Sequence, residues 1–481
     1  MATLVWFRRD LRLDDNPALD AATRDAAVIP VYLHADDRDD AWPPGAASRW
    51  WLHHSLAALA GDLGRAGSRL TLRVAPETDA ALLALARETG ATRVVWNRRF
   101  EPAAAASDRR IEAAMHAAGI ATERFNASLL HEPGTVANQA GRPFQVFTPF
   151  WRHCLALPDP QEPLRAPRRL PAPARWPQSA ALDEFALRPA RRWDAGLEES
   201  WQPGSRGAAT RLAAFVSEAF GQYTVERDRP DRTGTSRLSP HLHFGEIGPR
   251  QIWHAVRTFA APRRLRWRES QFLAEVGWRE FAHHLLHHFP QTATEPLRPA
   301  FAGFPWRDDP AALAAWHRGR TGYPIVDAGM RELWRTGWMH NRVRMIAGSF
   351  LVKDLLLPWT DGAAWFWDTL VDADLAANTL GWQWVTGCGA DAAPYFRIFN
   401  PTSQGRRFDP DGAYVRRFLP ELARLPSEWI HEPWKAPVAV LQAARVTLDV
   451  DYPRPIVDHA AARGRALLAL ASITPPARER G

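Results

Sequence analysis

The sequence predicts a two-part molecule: a doubly wound parallel α/β domain followed by a larger all-helical domain. Three observations carry that reading. Residues 1 to about 130 alternate short apolar runs with Ala/Leu-rich helical stretches, the pattern of βαβ units. Prolines 158, 160, 163, 167, 171, 173 and 177 then crowd a segment that can sustain neither helix nor sheet ladder. Beyond Gly207 the pattern turns helical, broken at Gly248-Pro249 and Tyr323-Pro324. The expected boundaries are 1–134 for the α/β domain, 135–205 for a linker, and 206–475 for the helical domain.

In chain order, the candidate strands are Leu4–Phe7, Ala27–Leu33, Leu70–Val74 and Arg93–Trp96. Their apolar residues run without alternation, so the sheet should be covered on both faces. Helical stretches fall between them at Ser48–Leu63, Asp79–Glu88 and Ser107–Ala118.

At 481 residues the chain has length for two or three domains. Its 46% apolar and 23% charged residues exclude a disordered or fibrous chain. A net charge of +7 suits a polyanionic partner. Cys154 and Cys388 are the only cysteines, which excludes a disulfide framework and a Cys-rich zinc site. The 23 tryptophans invite a specific use: stacking on bases or cofactor rings, or carrying electrons. The opening apolar run Thr3–Phe7 is cut short by Arg8-Arg9-Asp10, too early for a signal peptide. No apolar run approaches the roughly 18 residues of a membrane span. A soluble, cytoplasmic monomer is expected.

Several common motifs are missing. No G-x-G-x-x-G follows the first strand, and no Walker A, G-x-S-x-G or H-E-x-x-H sequence occurs. His283-His284-Leu285-Leu286-His287-His288 has ligand-like spacing, but no carboxylate or Cys completes a set, so no metal is expected.

Four constellations remain. Gly234-Thr235-Ser236-Arg237-Leu238-Ser239, with Tyr223 and Arg227 before it, can offer N–H groups and hydroxyls to phosphate, or simply cap a helix. Glu275, Trp278 and Arg279 share one helical face, a carboxylate and guanidinium beside a stacking wall. A plain Glu275–Arg279 ion pair explains two of those residues equally well. Asn341 and Met345 share a face in Trp338-Met339-His340-Asn341-Arg342-Val343-Arg344-Met345. Asp372 and Asp374, ahead of Asn378 and Trp382-Gln383-Trp384, lie in an apolar neighbourhood and need partners if buried; Arg344 or Arg279 could serve.

Taken in order, these stretches resemble the DNA photolyase/cryptochrome family, and within it the bacterial class I enzymes for cyclobutane pyrimidine dimers. Further matching stretches are Val5–Arg12, Gly322–Ala328 and Asp391–Arg397, so the resemblance covers nearly the whole chain. It implies a helical domain holding FAD folded on itself. Tyr223, Thr235, Ser236, Arg237, Leu238 and Ser239 would hold its phosphates. Arg279, Arg344, Asp372 and Asp374 would surround the flavin and ribityl chain, with Asn378 at the reactive ring nitrogen. That position is typically Asp in plant cryptochromes and Cys in animal ones, so Asn favours repair.

The same resemblance assigns damaged DNA to Arg227, Glu275, Trp278, Asn341, Arg342, Met345, Trp384 and Gln404. Trp382, Trp359 and Trp306 match the family's electron-carrying tryptophans; with Glu275 and Asn378 they form the expected catalytic set. The implied reaction is light-driven splitting of a flipped-out dimer by an electron from reduced FAD. A blue-light photoreceptor is the alternative. An antenna chromophore is also implied, either methenyltetrahydrofolate or a deazaflavin or flavin. Folate binders carry Asn-Glu where this chain has Ala103-Ala104, and a Lys where it has Thr294-Glu295.

Overall fold

A computed structural model describes residues 2–35, 42–391 and 396–473. Most of the Asp391–Arg397 stretch, and residues 474–475 of the expected helical domain, lie outside the described residues. The chain divides into two compact units, cut differently from the boundaries expected from sequence. The first comprises residues 1–221, 236–290 and 371–375; the second comprises 222–235, 291–370 and 376–481.

The first unit is built on five parallel strands: β1 (Ala2–Phe7), β2 (Ala27–Ala35), β3 (Thr71–Ala75), β4 (Ala91–Asn97) and β5 (Ala121–Phe125). Their order is β3-β2-β1-β4-β5, with Leu4 of β1 opposite Ile29 of β2 and Val94 of β4. Helices α1 (Pro17–Ala22), α2 (Ala46–Arg65), α3 (Thr78–Thr89) and α4 (Pro102–Ala117) connect them. β1 and β4 are almost wholly buried, as their unbroken apolar runs require. The sequence pattern missed α1 and β5. Asn16 caps α1 by accepting from the Leu19 N–H, and Pro17 starts it.

The expected linker contains α5 (Phe147–Ala156), and its proline-rich part is fastened down. Val28 N–H donates to the Pro171 carbonyl at 2.8 Å, and Ala180 N–H to that of Leu72 at 2.9 Å. Two further helices, Pro249–Ala260 and Gln271–His288, belong to this unit. α5 crosses the second where Gly277 leaves space: a Cβ there would stand 2.6 Å from the Trp151 ring.

Among the described residues the second unit is mainly helical. Its main helices are Pro310–His317, Pro324–Thr336, Asn341–Ser349, Trp359–Thr369, Leu375–Thr386 (in this unit from Ala376), Pro401–Phe408 and His459–Ile473. Proline opens three of them, at the position where its missing N–H costs nothing. Gly362 lets the 359–369 helix approach Trp382, since a Cβ would fall 2.1 Å from the indole. Among the described residues no helix is long and apolar enough to cross a membrane.

Candidate functional site

In the first unit, the helix Gln271–His288 begins where Ser270 accepts from the Leu273 N–H. Glu275, Trp278 and Arg279 do share its half-buried face. The plain ion pair does not form. Arg279 Nη1 donates to the Ser128 carbonyl at 2.6 Å, and Glu275 Oε1 accepts from the neutral amide of Gln271 at 3.0 Å. Trp278 stacks face to face on Phe147 of α5, with centroids 3.9 Å apart and planes 8° from parallel. Sequence reasoning missed Phe147, whose only signal is its place in the cluster Phe147-Thr148-Pro149-Phe150-Trp151. Next to this face, burial pushes the Glu280 carboxyl up to about 7, against Arg279 and the N–H groups of Leu130 and His131.

The two aspartates find partners in the same unit. Ser239 Oγ donates to Asp372 Oδ2 at 2.6 Å. Asp374 Oδ2 stands 3.7 Å from His243 Nδ1 and 3.6 Å from His283 Nε2, ion-pair distances beyond hydrogen-bonding range. Burial, then Arg9, lowers His243 to about 4; burial also lowers His283. Burial alone would raise Asp374, but the facing histidines and Arg279 outweigh it and hold the carboxyl well below its ordinary range.

Asp374 lines a small cavity with Arg9, Asn97, Arg99, Glu101 and His283. It lies past the carboxyl ends of β1 and β4, where strand order reverses and doubly wound sheets place ligands. Glu101 pairs with Arg9 at 3.2 Å and Arg99 at 3.0 Å; these outweigh burial and hold its carboxyl far below the usual range. At about 30 Å³ the space takes one or two waters, not a ring system.

Arg237 adopts φ +51°, the left-handed region uncommon for a side-chain-bearing residue, with its guanidinium 4.5 Å over Trp201. Ser236, Leu238 and Ser239 belong to the first unit with it. Among the described residues, the histidine run included, no group of three or more His, Cys, Asp or Glu comes together in a way that could hold a metal ion.

The second unit carries Tyr223, Arg227, Thr235, Trp306, Asn341, Arg342, Arg344, Met345, Trp359, Asn378, Trp382, Trp384 and Gln404. Asp228, which sequence reasoning passed over, joins two of them. Its Oδ1 lies 2.8 Å from Arg342 Nη2 and 3.8 Å from Arg227 Nε. The guanidiniums also cover rings, Arg342 over Phe408 at 4.5 Å and Arg227 over Tyr223 at 5.7 Å.

Asn341 opens its helix exposed, with half-buried Met345 one turn on. Arg344 Nε donates to the Met339 carbonyl at 2.7 Å. Asn378 Nδ2 donates to the Ala363 carbonyl at 3.1 Å, which fixes the amide's orientation. Trp384 and Gln404 are half-buried.

Trp382 is buried, and its indole N–H has no hydrogen-bond partner among the described residues. Its ring contacts are Phe366 at 5.0 Å and Trp316 at 6.2 Å. Trp359 is buried at the start of its helix, while Trp306 tilts against Phe304 at 4.4 Å. From Trp316 the rings continue through His317 and Trp365 to Trp334, which is 62% exposed.

Two family models match the chain: "DNA photolyase" over residues 3–172 and "FAD binding domain of DNA photolyase" over 272–472. A deoxyribodipyrimidine photo-lyase of Agrobacterium fabrum is 48% identical over 98% of both chains. The chain belongs to the DNA photolyase/cryptochrome family. Another member, cryptochrome-1 of Arabidopsis thaliana, is 42% identical over 96% of this chain and 69% of that protein. The structure of a bacterial class III photolyase from Agrobacterium tumefaciens matches with a TM-score of 0.95 and 48% identity, covering 98% of this chain and 97% of that one.

Family membership implies FAD, and each unit by itself carries donors that suit part of a flavin dinucleotide. In the first unit, hydroxyls and N–H groups at 236–239 suit phosphate and the buried Asp372 suits sugar hydroxyls; in the second, the fixed amide of Asn378 suits a ring nitrogen. His283, buried with neither ring nitrogen hydrogen-bonded, adds unused polar capacity beside Asp374.

Proposed function

We propose that this protein is a light-driven DNA repair lyase that splits cyclobutane pyrimidine dimers. The observation that carries the reading is the face of Glu275 and Trp278. Its indole is held flat by Phe147, and its carboxylate is held by Gln271 instead of being consumed by Arg279. A dimer inside a duplex is out of reach and must be flipped into a pocket. Trp278 offers fused pyrimidines a rigid wall, worth about 1–3 kcal/mol per stacked base. Glu275 accepts from a pyrimidine N–H and orients the lesion. Arg227 and Arg342, aligned by Asp228, hold backbone phosphates without reading sequence. Asn341, Met345, Trp384 and Gln404 complete the assigned DNA set.

FAD is assigned to Ser236, Arg237, Leu238, Ser239, Arg279, Asp372 and Asp374 in the first unit, and to Tyr223, Thr235, Arg344 and Asn378 in the second. When bound and reduced, it supplies the light-excited electron. A second chromophore is proposed for the sheet-bearing unit. Ala103-Ala104, in the first turn of α4, lacks the folate pattern, which leaves a deazaflavin or flavin as the alternative to methenyltetrahydrofolate. On the branch, the likeness to a class III structure supports class III over the class I resemblance of the motifs.

The test is direct. Illuminated, reduced protein should restore intact pyrimidines in dimer-containing DNA with no loss of phosphodiester bonds. Unchanged dimer content would instead favour a photoreceptor. Within that assay, Glu275→Ala should lower repair per absorbed photon more than it weakens dark binding, because the orientation it imposes on the lesion matters most at the splitting step. Trp278→Ala should do the reverse.

A further inference from the structure

The turn between the helices Pro249–Ala260 and Gln271–His288 reads Ala261-Pro262-Arg263-Arg264-Leu265-Arg266-Trp267-Arg268-Glu269-Ser270. Residues 261–266 are exposed without interruption. The turn is nonetheless built. Arg263 and Leu265 N–H groups both return to the Ala260 carbonyl at 3.1 Å, and Arg264 takes φ +56°. Trp267 packs edge-on to Trp253 at 5.3 Å. Arg268 ties the turn to α5, donating to the Leu155 carbonyl at 2.9 Å and pairing with Asp159 at 3.0 Å.

The charges facing outward are poorly neutralised. Arg263 lies 3.9 Å over the Phe259 ring, and neither it nor Arg264 has a carboxylate partner among the described residues. Arg266 pairs with Glu269 at 2.6 Å, but both side chains are mostly exposed, so the pair exchanges readily. Leu265, 42% exposed, sits among them. A connecting turn needs none of this, since small polar residues would serve.

Position gives the cluster a use. Ser270, its last residue, caps the helix that carries Glu275 and Trp278. At 1.5 Å per residue those side chains lie about 7 and 12 Å along the axis. One strand advances about 3.4 Å per nucleotide, so phosphates roughly two to four nucleotides from a lesion at Trp278 come within the turn's reach. Gln271, bonded to Glu275, shows that the same helix face continues toward the turn.

We infer that Arg263, Arg264 and Arg266 form an accessory DNA-backbone contact that takes phosphates flanking the lesion and lengthens the footprint without reading sequence. This rests on the repair reading above. The experiment measures dark binding by the full chain over a range of KCl, with two dimer-containing probes: a single strand of about 5 nucleotides and a duplex of about 20 base pairs.

The triple variant R263Q/R264Q/R266Q should lose roughly tenfold or more on the duplex, with the log–log salt slope falling by about 2–3. The short strand should bind as before, bound flavin absorbance should be unchanged, and the triple Lys variant should keep the wild-type slope. An unchanged duplex slope, or equal losses on both probes, overturns the inference. Failure of the repair reading looks different: wild-type protein would then show no preference for dimer-containing over undamaged DNA, whatever the triple variant does.

Discussion

The cavity beyond β1 and β4 and the surroundings of Trp382 are both buried, yet they handle charge in opposite ways. The cavity keeps charges and sets opposing groups beside them. Arg9 and Arg99 bracket Glu101, and Asp374 faces His243 and His283. Around Trp382 the neighbours are rings, and among the described residues the indole N–H has no acceptor. The difference teaches what each place is suited to. Fixed charges set opposite one another can orient a polar ligand. An indole packed among rings is suited to passing a positive hole to its neighbours.

The largest effect should come from removing that indole. Trp382→Phe is expected to abolish light-driven reduction of oxidised flavin, while protein already carrying reduced flavin still repairs. Flash absorption after illumination checks this. Wild-type photoreduction in the variant would mean that the apolar surroundings of Trp382 carry no electron, and the contrast with the charged cavity would lose its functional meaning.

The contrast also bears on what could be read in advance. β1 to β4 were legible because strands buried on both faces are written as unbroken apolar runs. β5 was not, since Thr122, Glu123 and Arg124 give an edge strand no such run. Glu275, Trp278 and Arg279 were legible as one face, because helical spacing is local. Their partners were not: Gln271 over Arg279 for Glu275, Ser128 for Arg279 and Phe147 for Trp278 are settled by tertiary packing. Likewise the two aspartates announced a need for partners, but nothing local pointed to Ser239, His243 and His283.

A smaller effect should appear in the pH dependence of stability, and it belongs to the charged side. An unfolded His243 takes its proton near pH 6.5, whereas the folded one waits until about 4. Between those values the unfolded chain binds more protons, so stability falls as pH falls through that window. Asp374, held below its ordinary value, extends the loss only at pH below about 3.8. His243→Gln should therefore flatten the stability curve between pH 6.5 and 4 by up to about one proton. Denaturant midpoints across that range measure it. An unchanged slope would show that His243 titrates normally and that the cavity is wetter than its packing indicates.

The smallest expected effect asks how the aromatic side is wired. By family resemblance the partner of Trp382 is Trp359, with Trp306 beyond it. The rings in contact with Trp382 are Phe366 and Trp316, and from Trp316 the run reaches exposed Trp334 through His317 and Trp365. Burial lowers His317 to about 4, so near neutral pH it adds no positive charge to obstruct a hole. If both exits are open and comparable, Trp316→Phe and Trp359→Phe should each halve the photoreduction rate, and the double variant should approach Trp382→Phe. Phe at 316 keeps a ring against Phe366 but gives up the indole's hydrogen bond to the Ala347 carbonyl, so the variant's thermal midpoint is measured alongside its photoreduction rate. A full loss in Trp359→Phe, with no change in Trp316→Phe, would reduce the second run to packing.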